Sequence, residues 1–250
     1  MKKIFCLFTL LALFSALRAE ESGLEAQAEL LYREGKYREA AETYNRILAG
    51  GEESASLYYN LGNSYYKAGE NTSAILQYER ALLLAPGNAD VRYNLKLARQ
   101  QVVDKIEVLP ELFFIRWYKA FVSLLSADQW GYVSVALFIL CLVLAAFFLY
   151  SRSAWMKRTG FTLGIVCLLL ALGALLFANR QNSLLKERRY AIVTTPSVTV
   201  RGAPDGSGTS LFIIHEGLKV RIVEALGEWT NIRLEDGNEG WVRHTDIERI

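Results

Sequence analysis

The sequence predicts a multidomain membrane protein in which an all-α repeat solenoid precedes two transmembrane helices and a small all-β barrel. Three observations predict it. Tyr59-Asn60-Leu61 returns as Tyr93-Asn94-Leu95, and Ala40 with Tyr44 returns as Ala74 with Tyr78, each time 34 residues on, the mark of a helical repeat array. Residues 129–151 and 159–179 are uncharged apolar runs, each long enough at ~1.5 Å per helical residue to cross a ~30 Å hydrocarbon core. From Arg189 the apolar period changes to two, as in Val198/Val200, Val220/Ile222 and Ile232/Leu234, which reads as short strands.

Residues 1–19 have the form of a signal peptide: Lys2 and Lys3, then apolar Ile4 to Ala16, then Ala16-Leu17-Arg18-Ala19 before Glu20. Leu17 stands where cleavage prefers a small residue, so an uncleaved anchor is the competing reading. Either one exports the region that follows.

The repeats occupy residues 20–101. In the middle unit, 55–88, the residues Tyr58, Leu61, Gly62, Tyr65, Ala74, Tyr78, Ala81 and Pro86 resemble the tetratricopeptide repeat at nearly every signature place. The first unit, 21–54, has Gln27-Ala28 in place of Leu-Gly, as fits a capping repeat, and the third supplies one helix from Ala89 to about Gln101. Two and a half units are marginal alone, so the array is expected to lean on the membrane-proximal segment or on a partner. The resemblance implies protein binding along the first helix of each unit, with a groove of Tyr32, Tyr59, Asn63, Tyr66, Lys67 and Tyr93, flanked by Glu25, Glu29 and Leu97. Tyrosine suits such a surface because its ring buries area at low entropy cost and its hydroxyl adds a directional bond. The competing reading packs the same rings between adjacent helices. Only Asn60 matches the carboxylate clamp of chaperone-binding members, and Glu25, Glu29 and Asp90 stand where that clamp has bases or Asn.

Residues 110–128 place Phe113, Trp117, Phe121, Leu124 and Leu125 at helical spacing, with Arg116 and Lys119 on other faces. That pattern fits an amphipathic helix at the membrane surface, and equally a helix packed on the repeats. The two spans then form a hairpin, which puts residues 20–128 and 180–250 on one side of the membrane. The connection, 152–158, carries Arg152, Lys157 and Arg158 and belongs on the cytoplasmic side by the positive-inside rule, although Arg180, Lys186, Arg188 and Arg189 oppose it. The expected location is a bacterial inner membrane with both soluble regions in the periplasm.

In residues 189–250, the stretch Val198-Thr199-Val200-Arg201, with Pro204, His215-Glu216-Gly217, Trp229 and Gly240-Trp241-Val242, resembles the bacterial SH3 (SH3b) family. The resemblance implies an SH3-like barrel. Tyr190, Trp229 and Trp241 are its candidate ligand contacts, for a peptide or a cell-wall fragment, unless they only close the barrel.

Net charge is +2. Residues 20–128 hold 12 basic and 16 acidic side chains and residues 180–250 ten of each, so no basic stripe calls for nucleic acid. Cys6, Cys141 and Cys167 all fall in the leader or the spans, which leaves the soluble regions without a disulfide or a cysteine metal site. No HExxH, GxSxG, P-loop or dinucleotide fingerprint occurs, so no catalytic residue, metal or cofactor is expected. In the order of its modules the chain resembles the BatE-type proteins of the Bacteroides aerotolerance (Bat) group. That resemblance implies a non-enzymatic inner-membrane adaptor, working beside von Willebrand A-domain membrane proteins and a MoxR-type ATPase in envelope stress. The alternative is a membrane-anchored sensor of the cell wall.

Overall fold

The computed structural model describes residues 23–106, 112–206 and 208–250. The expected signal peptide lies outside them. The chain forms two compact units, one joining the repeat helices to the C-terminal strands, the other gathering residues 83–88 and 108–189.

In the first unit, α1 (residues 23–33), α2 (Tyr37–Ala49), α3 (Ala55–Ala68), α4 (Asn71–Leu84) and α5 (Ala89–Arg99) follow the repeat. Ser54 caps α3 by accepting from the Leu57 N–H, and Gly69 ends it at φ +83°, a left-handed turn that costs glycine nothing. The repeat-equivalent pairs Ala40/Ala74 and Tyr44/Tyr78 are all buried, because they fill the seam between the two helices of each unit. Gly62 makes that seam possible: a Cβ there would stand 2.7 Å from the Tyr78 ring.

The C-terminal segment is an antiparallel sheet of β1 (Tyr190–Val193), β2 (Ser197–Arg201), β3 (Ser210–His215), β4 (Lys219–Leu226), β5 (Trp229–Arg233), β6 (Glu239–Arg243) and β7 (Ile247–Arg249), in the order β3-β2-β6-β5-β4-β1-β7. The alternation read from the sequence sets its core. Val198, Val200, Val220, Ile232 and Val242 point inward together, and Gly240 leaves the room that Val200 fills.

The repeat array finds support on the sheet, which the sequence did not announce, and its α4–α5 turn at Gly87 also packs on the membrane-proximal segment at Leu124. After α5 the chain runs to Ile106, which packs against the sheet core, while Asp104 accepts the His215 backbone N–H at 2.6 Å and pairs with His215 Nδ1 at 2.8 Å. Along α4, Thr72 Oγ1 donates to Glu216 at 2.9 Å, and Arg80 donates to Glu248 at 2.9 Å and to the Arg249 carbonyl at 2.7 Å. Glu79, with 6% of its side chain exposed, takes Lys219 Nζ at 2.7 Å and the Arg99 guanidinium as well. Six consecutive residues of α4, Ala74 to Glu79, are therefore buried, although a helix in an open array keeps one face in water. Repeat region and sheet form one body, where the sequence suggested two separate modules.

The second unit holds α6 (Phe113–Val122), α7 (Ala127–Tyr150) and α8 (Ala154–Glu187), of which α7 and α8 are long and apolar enough to cross a membrane. α8 runs past its apolar stretch at both ends, because a hydropathy pattern ends where charge begins and a helix does not, while α7 begins two residues before its stretch and ends one residue short of it. A capping box of Ser126 and Gln129 starts α7 at Ala127. Lys157 and Arg158 lie in the first turns of α8, so the connection expected over 152–158 shrinks to 151–153. Gly160, Gly164, Cys167, Ala171 and Ala174 face α7 at alternating spacings of four and three, and Ser134 Oγ donates to the Ala171 carbonyl at 2.9 Å. The stretch expected over 110–128 breaks after α6. Trp130 Nε1 and Gln181 Nε2 both donate to the Val122 carbonyl, at 2.9 and 3.0 Å, and fix that corner.

Candidate protein-binding groove

The first helices α1, α3 and α5 carry the predicted groove residues, and the structure divides them into two kinds. Asn63 is an internal tie: its Oδ1 accepts from Tyr78 OH at 2.8 Å and from Asn94 Nδ2 at 2.9 Å, and Asn94 also donates to Tyr59 OH at 3.2 Å. Tyr59 is half-buried, its ring 6.2 Å from that of Tyr78. Tyr32 and Tyr66 are half-buried, Lys67 is exposed, and Tyr93 stands 63% exposed on α5. Tyr32, Tyr66, Lys67 and Tyr93 are thus open to a ligand, while Asn63 and the inner edge of Tyr59 hold α3, α4 and α5 together.

At the α1 end a pocket of about 220 Å³ opens between Glu29, Tyr32, Arg33, Tyr44, Asn60 and Asn63. Its lining repeats the second unit one period back: Glu29 is the equivalent, 34 residues back, of Asn63, as Tyr44 is of Tyr78 and Asn60 of Asn94. Arg33 reaches Glu29 at 3.6 Å across one helical turn, leaving two phenols, two amides and one ion pair around the cavity. Burial, then the Glu29 and Glu25 carboxylates and the Tyr32 phenol, push the Tyr44 hydroxyl up to about 12, against an opposing hydrogen bond from Asn60. Tyr78 is raised too, by burial first and then by the neighbouring phenols of Tyr59, Tyr32 and Tyr66, and Asn94 opposes as Asn60 does in the first unit. Both phenols therefore stay neutral donors at physiological pH. Asn94 and the hydroxyl end of Tyr44 did not emerge as groove residues from the sequence, although the recurrence of Tyr-Asn-Leu displayed the Asn pair; Tyr44 was read only as a member of the 34-residue recurrence.

On the sheet, Trp229 and Trp241 share the outer face as diagonal neighbours, since Trp229 opposes Arg243 and Trp241 opposes Asn231. The Arg243 guanidinium lies 5.8 Å from the Trp229 ring centre. Tyr190 is not with them. It lies two strands across and four residues along, about 16 Å away by ordinary strand spacings, where Lys219 Nζ sits 4.7 Å over its ring. The three aromatic candidates therefore form no single site.

The tetratricopeptide repeat family matches residues 25–90, which takes in α1 to α4 and the start of α5. The chain is 40% identical over 78 residues to "Rhomboid protease GluP" of Bacillus subtilis (strain 168), a stretch that is 31% of this chain and 15% of that protein. The chain therefore spans a small part of that relative's length. The repeats are a protein–protein interaction module, and the chain couples them to two helices of membrane-crossing length.

Proposed function

We propose that the protein is a non-enzymatic adaptor of the bacterial inner membrane, anchored by the α7–α8 hairpin with the repeats and sheet on the periplasmic side, and that it captures protein partners along α1, α3 and α5. The observation that carries the reading is the open pocket at Glu29, Tyr32, Tyr44, Asn60 and Asn63, on the same first helices that carry half-buried Tyr66 and exposed Lys67 and Tyr93. A surface of phenols and amides that stay neutral fits an extended polypeptide, whose backbone needs donors and acceptors at short intervals. The partners that the Bat-group resemblance suggests are von Willebrand A-domain membrane proteins served by a MoxR-type ATPase.

Crosslinking in membranes tests this directly. Tyr93→Ala with Lys67→Ala should abolish capture of the partner that the parent retains and leave melting unchanged, since both side chains are exposed. Undiminished capture refutes the groove. Orientation is tested with a membrane-impermeant thiol reagent, which should label Glu52→Cys and Glu224→Cys and spare Ser153→Cys. A second reading, a cell-wall sensor, is favoured by one observation: Asn231 Oδ1 is buried without a hydrogen-bond partner and opposes Trp241, with Trp229 two places along the same strand, an arrangement of rings and amide that suits a saccharide. Co-sedimentation of Trp229→Ala and parent protein with purified wall separates the two readings.

A further inference from the structure

α6 is amphipathic in a lopsided way. Around its axis Phe113, Trp117, Phe121, Phe114, Tyr118, Val122 and Ile115 fill an apolar arc of about 200°, and Arg116 and Lys119 stand on the opposite side, with no acidic residue in the helix. Among the described residues, part of that arc is spent on protein. Tyr118 and Phe121 meet Phe177 at ring distances of 6.2 and 5.7 Å, Phe121 meets Trp130 at 5.6 Å, and Val122 is buried. Phe113, Phe114 and Trp117 remain 71%, 56% and 75% exposed.

The corner that holds α6 also sets its depth. Its C-terminal carbonyl is pinned by Trp130, one turn into α7, and by Gln181, just past the long apolar run of α8 that ends at Ala178. Those are the places where both long helices change from apolar to polar sequence, at the same end of the hairpin. Whatever plane the apolar surface of the hairpin occupies, α6 leaves from its rim, and Tyr118 and Phe121 join its aromatic arc to that surface at Phe177 and Trp130.

We propose that α6 lies in the headgroup layer of the bilayer, with Phe113, Phe114 and Trp117 sunk to the acyl boundary and Arg116 and Lys119 turned to lipid phosphates. The occupant of this face is lipid and not a second protein, because the ring-bearing arc joins the apolar hairpin at Phe177 and Trp130, and the opposite side of the helix carries Arg116 and Lys119 where phosphate would lie. The inference rests on the membrane-spanning reading of that hairpin.

Site-directed spin labelling tests it on the full chain, with Cys6, Cys141 and Cys167 changed to Ala, in phospholipid vesicles. Nitroxides are placed at Phe113→Cys, Trp117→Cys, Trp155→Cys and Glu224→Cys, all exposed positions, and each is scored by its access to dissolved oxygen relative to a water-soluble nickel chelate. For a helix seated ~5–10 Å into the interface, the ratio at Phe113 and Trp117 should exceed that at Glu224 about fivefold and match Trp155, at the other end of the hairpin. A lipid-like ratio at Trp155 with a water-like ratio at Trp117 overturns the inference and leaves the spanning hairpin standing. Low access to both reagents at Trp117 means protein covers the face, and also overturns it. A water-like ratio at Trp155 removes the spanning hairpin and the inference together.

Discussion

Removing the cations around Glu79 is the sharpest test of the union between repeats and sheet. The carboxylate is 6% exposed and holds Arg99 of α5 and Lys219 of β4, residues whose side chains are 42% and 24% exposed. The burden is therefore unequal: either cation can turn to water when Glu79 is lost, whereas Glu79 has no such escape. Changing Lys219 to Met keeps the apolar stem and leaves one cation on the carboxylate, so the loss is that of one charged hydrogen bond, about 1.5–3 kcal/mol. Changing Arg99 and Lys219 together strands a buried charge, which costs about 3–5 kcal/mol. At 2–4 °C per kcal/mol for a body of this size, the double variant should melt about 6–20 °C below the parent, and Lys219→Met about 3–12 °C below. Scanning fluorimetry in mild detergent measures this, with hydrogen exchange of α4 as a second readout, because Lys219 lies 140 residues from Glu79 and reaches it only through the docked sheet. If the double variant melts within 1 °C or so of the parent, or α4 amides keep their protection, the sheet does not support the repeats as argued.

Other outcomes follow from single contacts. Gly62→Ala puts a Cβ 2.7 Å from the Tyr78 ring and should cost about 1–3 kcal/mol of melting stability, whereas Gly131→Ala, with nothing within 4 Å, should leave the fold unchanged. Asn63→Ala removes the acceptor of the buried Tyr78 hydroxyl proton and should cost about 1–3 kcal/mol, against no measurable loss for Tyr93→Ala in the same melting assay. The raised Tyr44 and Tyr78 phenols contribute stability that is fully present below about pH 10 and lost as pH rises through the folded value, about 12 for Tyr44. Ultraviolet titration should accordingly show two late phenols ionising together with the loss of helical circular dichroism; complete titration of all tyrosines near 10 with the helices intact would contradict their burial. Gln181→Leu should loosen α6 from the hairpin, seen as faster exchange of its amides with α7 and α8 unchanged.

What the sequence determined by itself was periodic. The 34-residue recurrence set the four repeat helices α1 to α4 and the partial third unit, the two apolar runs set the hairpin, and the alternation after Arg189 set which valines and isoleucines of the sheet face inward. These patterns are legible because each encodes a local geometry, 3.6 residues per turn or two per pleat, that every neighbouring residue repeats. The groove was half legible: its residues lie on the predicted helices, yet the sequence could not say that Asn63 ties Tyr78 to Asn94 while its equivalent Glu29 lines a pocket, because that depends on side chains from three helices meeting. Only the tertiary structure decided that the sheet covers α4, through Glu79, Arg80 and Asp104 finding partners more than 100 residues away. Such contacts leave no period in the chain. Each is a single charge or amide whose partner is fixed by how two surfaces meet, and a one-dimensional pattern holds no record of that.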